Sequence, residues 1–257
     1  MSDWFDDGEG PHSEVESGNF ADQESYPVLP ICLTIDVSGS MQSSGAIEAV
    51  NTCLPELREM VLADPTIGEM AKLSIVTFEN TARTVVESQD IRDITFPTLI
   101  ASGGTNYTAG LREGQAAIER AIRQLGRGVR IFSPVMFFIS DGEPNDSEPN
   151  WVAALEQLSQ MRYRPNVVAF GMGDANLSVI SKLATKMSNG VPFAFLARDT
   201  DPVAATREVF KQIIGSIKVT SASARTAAAN GGDMVFGMDQ TVTEQFTFLM
   251  PGTTMTT

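Results

Sequence analysis

Apolar segments that alternate with amphipathic ones set the narrowest limits on how this chain folds. Residues 135–139 read Val-Met-Phe-Phe-Ile with no polar interruption, and residues 29–35 and 167–170 are also largely apolar. Residues 106–125, in contrast, repeat apolar side chains at helical spacing. Strands that are apolar on both faces are typical of a parallel sheet with helices on each side. The pattern therefore predicts an α/β fold with a doubly wound, Rossmann-like, mainly parallel sheet.

One antiparallel edge strand is predicted as well. Residues 72–78 and 81–86 both have strand character, and only Glu79 and Asn80 separate them. That link is too short for the crossover that parallel strands need, so the two segments should form a hairpin at the sheet edge. The remaining predicted elements are a helix after Gly45 with a kink or break at Pro55, helices over 151–161, 177–187 and 203–217, and a strand over 193–196.

The two ends of the chain differ in composition from its middle. Acidic residues in the first 26 positions are interleaved with Gly, Ser and Pro, which is the composition of a disordered segment. After the last predicted helix the sequence becomes rich in Ala, Ser and Thr. We therefore expect an acidic disordered tail over 1–26, one folded domain over 27–218, and a C-terminal tail over 219–257 that is a candidate partner-binding segment.

Charge and cysteine content exclude several functions. The formal net charge of −14 disfavours binding to nucleic acid or to an anionic membrane surface. No basic and apolar leader is present, and no apolar run approaches the roughly 20 residues of a membrane span. Cys32 and Cys53 do not make a disulfide framework and are expected to be buried, reduced thiols. We expect a cytoplasmic protein whose partners are proteins or cations.

Three oxygen-bearing side chains follow the first predicted strand at intervals of two residues. They are Asp36, Ser38 and Ser40, and alternate residues of an extended segment point the same way. Hard oxygen ligands without thiolate or imidazole suit Mg²⁺ or Mn²⁺. The segment therefore resembles half of an exposed metal site.

Two later loops supply the rest of the predicted site. Thr105 lies in Ser102-Gly-Gly-Thr-Asn just before a helix, and Asp141 follows the strand over 135–139. Ligands of doubly wound sheets bind outside the carboxyl ends of the strands, at the point where strand order reverses. We expect Asp36, Ser38, Ser40, Thr105 and Asp141 to converge there.

These five residues resemble the metal-ion-dependent adhesion site (MIDAS) of the von Willebrand factor A (VWA) family, whose pattern is Asp-x-Ser-x-Ser, a distant Thr and a distant Asp. The resemblance covers about residues 28–218. Within the family the chain looks most like bacterial TerY-type proteins of tellurium resistance and stress response. The segments that carry this resemblance are Asp36-Val-Ser-Gly-Ser-Met, Ile47-Glu-Ala-Val-Asn, Ser74-Ile-Val-Thr-Phe-Glu, Ser102-Gly-Gly-Thr-Asn and Ile139-Ser-Asp-Gly-Glu-Pro-Asn-Asp.

The resemblance implies a binding function without catalysis. Ser38, Ser40 and Thr105 would be hydroxyl ligands, while Asp36 and Asp141 would bind the metal directly or through water. An Asp or Glu of a partner protein would complete the coordination. The TerY-type setting implies an adaptor in a stress-response or defence system, with a protein kinase and a protein phosphatase as expected partners.

Several local alternatives stay open at this point. The Asp-x-Ser-x-Ser segment could be a capping turn, and Thr105 could cap the helix that follows it. Glu143 and Asp146 could line the rim of the site, but acidic loop residues are more often simply solvated. The only histidine, His12, lies in the acidic tail, so histidine catalysis and a His-ligated zinc site are unsupported.

Two alternative functions also stay open. A magnesium-dependent phosphohydrolase could use Asp36 as nucleophile, although Ser38 stands where such enzymes normally have a second carboxylate. The chain could instead be a structural subunit whose C-terminal tail adds a strand to a neighbour.

Overall fold

A seven-stranded sheet forms the centre of the protein in a computed structural model, which describes residues 27–63, 65–186, 192–197, 199–230, 237 and 246–247. Its spatial order is β3-β2-β1-β4-β5-β6-β7. The strands β2, β1, β4, β5 and β6 run parallel, and β3 and β7 are antiparallel edges. In chain order the strands are β1 (Leu29–Asp36), β2 (Ala71–Phe78), β3 (Ala82–Asp90), β4 (Val135–Ser140), β5 (Asn166–Gly171), β6 (Ala194–Ala197) and β7 (Phe246–Thr247).

Helices cover the sheet as a parallel sheet requires. They are α1 (Gly39–Ser43), α2 (Ala46–Ala63), α3 (Pro65–Met70), α4 (Tyr107–Gln124), α5 (Glu148–Ser159), α6 (Leu177–Leu183) and α7 (Pro202–Asn230), with a short 3₁₀ turn over Ile91–Asp93. One face packs on α4, whose Gly114 approaches Thr34 of β1 and Met136 of β4. On the other face Thr206 of α7 contacts the sulfur of Met172, just after β5. The predicted doubly wound α/β fold is confirmed.

The central strands are apolar because they are buried on both faces and paired on both sides. Every residue of β1 and of β4 is buried. β1 pairs in parallel with β2 on one side and with β4 on the other. Strand order therefore reverses between β1 and β4, and the carboxyl ends of these two strands lie side by side.

Most predicted elements are present, with differences at their ends. The hairpin of β2 and β3 forms the predicted antiparallel edge. Helix α2 runs through Pro55 without a break, and α6 ends at Leu183 instead of residue 187. The prediction of a disordered acidic tail over 1–26 falls outside the described residues.

The C-terminal region differs from the prediction in the length of one helix and in one added strand. Helix α7, predicted over 203–217, continues to Asn230. Small side chains such as Thr220 and Ala224 extend the buried stripe of Ile213 and Ile217 at helical spacing. Phe246 then begins β7, which pairs antiparallel with β6. Among the described residues, no helix combines the length and the apolar character needed to cross a membrane.

Candidate metal centre

Three loops meet at the carboxyl edge of the sheet, where strand order reverses. The first follows β1, the second precedes α4, and the third follows β4. Backbone hydrogen bonds join the first two, since Gly39 N donates to Gly103 O (3.0 Å) and Ser102 N donates to Val37 O (2.7 Å). The predicted convergence of these loops is therefore present in the structure.

A chain of side-chain hydrogen bonds connects the first loop with the third. Ser40 Oγ donates to Asp141 Oδ1 over 2.7 Å. Ser38 Oγ lies 3.0 Å from Ser40 Oγ, and because the Ser40 proton is used on Asp141, Ser38 is the donor of this pair. Ser38 and Asp141 are buried and Ser40 is exposed. Three of the five predicted site residues thus form one continuous row of oxygens that reaches solvent at Ser40.

Asp36 lies deeper, at the end of β1, with 0 % of its surface exposed. Its Oδ1 accepts a hydrogen bond from Ser38 N (2.8 Å) and its Oδ2 accepts one from Ser140 Oγ (2.6 Å). Burial raises the pKa of this carboxyl from 3.8 to about 6, although the hydrogen bonds from Ser140 and Ser38 act in the opposite direction. Burial also raises the pKa of Asp141, against the hydrogen bond from Ser40. Both carboxyls lie where a cation would lower their pKa values again.

Thr105 is held at the site by backbone contacts. Its N–H donates to Asn145 Oδ1 (2.7 Å), and its carbonyl oxygen accepts from Asn145 N (2.8 Å). The Thr105 side chain is buried, with 6 % of its surface exposed. A second tether runs to the β2–β3 turn, where Gly104 N donates to Asn80 Oδ1 (3.0 Å). The structure brings Thr105 to the same edge as the other four residues, and its role as a hydroxyl ligand stays a prediction.

Asn145 and Asp146 contact the loop of Thr105 and the start of α4. The sequence pattern gave no prediction for Asn145, and for Asp146 it favoured a solvated loop position over a place at the rim of the site. Asp146 accepts hydrogen bonds from Tyr107 N (2.9 Å) and Thr108 N (3.0 Å), and also from the Thr108 hydroxyl. The first N–H groups of a helix have no acceptor within that helix, so a carboxylate that accepts hydrogen bonds from them at the start of α4 is stabilising. Asp146 is therefore not a solvated loop residue, as the sequence pattern had favoured. Glu143 is exposed, which agrees with that interpretation. The Asn-Asp pair is a typical capping composition, but nothing local showed that it would cap a helix from a distant loop.

The alternative that Thr105 caps a helix does not hold, and the capping-turn alternative holds only for Asp36, whose Oδ1 accepts a hydrogen bond from Ser38 N. Ser38 occupies the position before α1 but makes no side-chain capping bond there, and its hydroxyl pairs with Ser40 instead. Asn106, not Thr105, caps α4, because its side chain accepts from Ala109 N (2.9 Å). The side chains of Ser38 and Thr105 therefore do not cap a helix.

The arrangement of oxygens fits a small divalent cation. Neighbouring ligands of an octahedral ion with bonds of roughly 2.1 Å lie about 3.0 Å apart. The Ser38 Oγ–Ser40 Oγ distance of 3.0 Å and the Ser40 Oγ–Asp141 Oδ1 distance of 2.7 Å are those of hydrogen bonds, and they are close to that spacing. Among the residues that the structure describes, no group of three or more Asp, Glu, His or Cys side chains is placed to hold a metal. Any metal at this edge would therefore depend on hydroxyl ligands beside two carboxylates.

Comparison with protein families supports this description. The family model described as von Willebrand factor type A domain matches residues 31–225, which is well over half of the chain. A curated relative, uncharacterized protein sll0103 of Synechocystis sp., is 24% identical over 191 residues, which cover 72% of this chain and 41% of that protein. The chain thus spans about two-fifths of the length of this relative.

Solved structures share the fold at low sequence identity. The pilus adhesin SpaC of Lactobacillus rhamnosus GG has a TM-score of 0.56 at 15% identity, over 76% of this chain and 32% of the adhesin. Proximal thread matrix protein 1 of the mussel byssus, in a structure with a zinc-occupied MIDAS motif, has a TM-score of 0.53 at 16% identity, over 76% and 48% of the two chains. A von Willebrand factor type A protein of Catenulispora acidiphila has a TM-score of 0.52 at 14% identity, over 75% and 43%.

Proposed function

The chain belongs to the von Willebrand factor type A domain family, and from that premise we propose that it is a non-enzymatic, metal-dependent protein-binding module. The observation that carries the proposal is the row of oxygens from Ser38 through Ser40 to Asp141, which are hydrogen-bonded at 2.7 to 3.0 Å and reach solvent at Ser40. Asp36, Ser38, Ser40, Thr105 and Asp141 would hold the ion. A bound Mg²⁺ or Mn²⁺ would supply an electrophilic position for an Asp or Glu of a partner protein.

The residues of this chain favour recognition of a carboxylate from outside. Asp36 and Asp141 are two carboxylates of the site, and both are already hydrogen-bonded to serine hydroxyls. The two carboxylates carry as much negative charge as a divalent ion carries positive charge, and the hydroxyl ligands add no further negative charge. The bound ion would therefore still attract an anionic ligand from outside the chain. The exposed position of Ser40 places this end of the site at the surface. A partner carboxylate can therefore approach from solvent without rearrangement of the buried Asp36.

The same geometry weighs against the phosphohydrolase alternative. A nucleophilic aspartate needs an oxygen that its substrate can reach from solvent. Asp36 is fully buried, and each of its oxygens accepts a hydrogen bond from this chain. Ser38 occupies the position of the second carboxylate that such enzymes use as acid and base. We therefore propose that the protein is not an enzyme.

A finer proposal concerns the biological setting. The motif Ile139-Ser-Asp-Gly-Glu-Pro-Asn-Asp and the other segments shared with TerY-type proteins support an adaptor role in bacterial tellurium resistance or stress response. In that setting the partners would be a protein kinase and a protein phosphatase in the cytoplasm.

Metal-dependent capture tests the proposal. The tagged full chain is incubated with lysate of its source cells in 1 mM MgCl₂ or in EDTA, and the bound proteins are identified by mass spectrometry. We expect a set of proteins that is retained only with Mg²⁺ and is lost with Asp36→Ala, while Ser43→Ala retains it because Ser43 is exposed and its hydroxyl bonds only the backbone of Ser40. Capture that is equal in EDTA would contradict metal-dependent binding, and metal-dependent turnover of a phosphate ester that Asp36→Asn abolishes would overturn the non-enzymatic assignment.

A further inference from the structure

The two edges of the sheet are protected in different ways. β3, at one edge, carries Arg83, Glu87 and Asp90, and charged side chains discourage the addition of foreign strands. β6, near the other edge, reads Ala-Phe-Leu-Ala and has no charged residue. An apolar strand with free backbone groups is a template for pairing with another strand. In this structure β7 pairs with that side of β6.

A single aromatic side chain anchors β7. Phe246 has 0 % of its surface exposed. Its ring centroid lies 5.9 Å from that of Phe170 on β5 and 5.8 Å from that of Phe195 on β6, the latter in an edge-to-face arrangement. Phe170 and Phe195 are themselves stacked at 5.3 Å. The three rings lie on one face of the sheet, because Phe195 pairs with Phe170 and Phe246 pairs with Ala197, two residues beyond Phe195.

A second contact ties the same segment to α7. Gly237 N donates to the hydroxyl of Thr220 (3.2 Å), and that hydroxyl lies 3.4 Å from Gly237 O. The fit at this contact is tight, because a Cβ on Gly237 would lie 2.3 Å from Val219 Cγ1. Gly237 therefore lies beside α7 at Thr220, and Phe246 lies at the outer side of β6.

We propose that the outer side of β6, together with the rings of Phe170 and Phe195, is a strand-acceptor site for an extended peptide with an aromatic anchor. Its occupant is the C-terminal segment of this same chain, which places Phe246 in the site. Backbone pairing gives such a site its affinity, and the ring pocket gives it specificity. This inference is independent of the metal site, which lies at the carboxyl edge between β1 and β4.

The geometry also indicates that this strand is exchangeable. Among the residues that the structure describes, β7 pairs with β6 at two positions, Leu196 with Thr247 and Ala197 with Phe246. It is the outermost strand, so its departure leaves every pairing among β1 to β6 in place. What it leaves behind is an uncharged edge beside the rings of Phe170 and Phe195. A peptide of the same sequence should then fill the site from solution.

A peptide-binding experiment on the full chain tests this proposal. The probe is a fluorescein-labelled peptide of residues 238–250, measured by fluorescence anisotropy in EDTA so that the metal site plays no part. We expect the full chain with Phe246→Ala to bind the peptide at least about tenfold more tightly than the wild-type chain, in which the attached segment competes at a high effective concentration. The same peptide with Phe246→Ala should lose that binding.

Two further variants make the result decisive. Phe132→Ala removes another buried phenylalanine, in the segment before β4, and should bind the peptide no better than the wild-type chain. Gly237→Val should displace the attached segment at α7, while Phe246 and the acceptor rings stay intact. This variant should gain peptide binding. It keeps the test valid if Phe246→Ala does not fold. Folding of each variant is checked by circular dichroism and thermal unfolding. Equal binding by the wild-type and Gly237→Val chains, or equal binding of both peptides, would overturn the proposal.

Discussion

Ser40 donates a hydrogen bond of 2.7 Å to Asp141, a residue 101 positions later in the chain. The contact exists because β1 and β4 are neighbours in the sheet, so the loops that follow them leave the same edge. It joins the Asp-x-Ser-x-Ser segment to the distant aspartate by a hydrogen bond within the chain. The oxygen groups of the candidate metal centre are therefore held close together by this chain itself.

Loss of the Ser40 hydroxyl should weaken metal binding. Ser40→Ala removes one oxygen of the row and leaves Asp141 without its donor. We expect the affinity for Mn²⁺ or Mg²⁺ to fall by roughly 10- to 100-fold, as is typical when a ligand or its supporting partner is removed. Isothermal titration calorimetry measures the change. Ser43→Ala is the matched control and should bind metal as the wild type does, and an unchanged affinity of Ser40→Ala would exclude Ser40 from the site.

The metal-free protein should become less stable as the pH rises through about 6. Folding raises the pKa of Asp36 from 3.8 to about 6, so the folded state holds this proton more tightly than the unfolded state. The resulting stability is fully present below about pH 4 and is lost as the pH rises through the folded value. Asp141, whose pKa is also raised, contributes with the same sign.

Asp36→Asn isolates the contribution of Asp36. A difference of about two pKa units corresponds to on the order of 3 kcal/mol, so in EDTA at pH 7.5 the variant should exceed the wild type in unfolding free energy by up to that amount. At pH 4 the two should be similar. Urea unfolding at both pH values measures this, and a difference between the two proteins that does not vary with pH would contradict the prediction. Added Mg²⁺ should stabilise only the wild type.

Asn145 should control the position of Thr105. Asn145→Ala removes the side-chain oxygen that accepts from Thr105 N, while the backbone bond from Asn145 N to Thr105 O can remain. We expect a loss of about 1–2 kcal/mol in unfolding free energy, since a partly buried N–H loses its acceptor. We also expect weaker Mn²⁺ binding in calorimetry. Asn150→Ala, an exposed asparagine in the first turn of α5, is the control, and loss of stability without any change in Mn²⁺ affinity would show that Asn145 does not act on the metal site.

Asp146 should stabilise the start of α4 from a distant loop. Asp146→Ala leaves Tyr107 N and Thr108 N without their acceptor and removes a negative charge from a helix N-terminus. The expected cost is about 1–3 kcal/mol in unfolding free energy, measured by urea denaturation. Glu143→Ala changes an exposed acidic residue of the same loop and should stay within about 0.5 kcal/mol of the wild type. Equal effects of the two changes would support the interpretation of both as solvated loop residues.

The residues of the candidate site that lie at strand ends could be predicted from the sequence. Asp36 is the last residue of β1 and Asp141 comes directly after β4, and parallel strands end at one edge of the sheet. Asn145 was missed and Asp146 was interpreted as a solvated loop residue, because their partners, Thr105 and the start of α4, lie about 40 residues away. A sequence shows which residue types can cap a helix. It does not show which helix they cap when that helix begins in a distant part of the chain.

The C-terminal region shows the same limit. Ala, Ser and Thr after residue 217 gave no apolar stripe strong enough to predict a helix, yet α7 continues to Asn230. Tertiary packing supplies what local propensity lacks, since Thr220 and Ala224 are buried on the face that Ile213 and Ile217 began. The pairing of Phe246 with β6 could not be predicted locally, because it depends on a distant strand and the two described residues of β7 are too few to show a periodicity.

The sequence by itself determined the doubly wound α/β fold, the antiparallel hairpin of β2 and β3, and the oxygen-bearing residues at the strand ends. These features follow from periodicity and from side-chain chemistry within short segments. Only the tertiary structure decided that Ser40 bonds Asp141, that Asp146 caps α4, and that Phe246 closes the edge of β6. Each of these joins segments that are far apart in the chain, and such contacts depend on strand order and register.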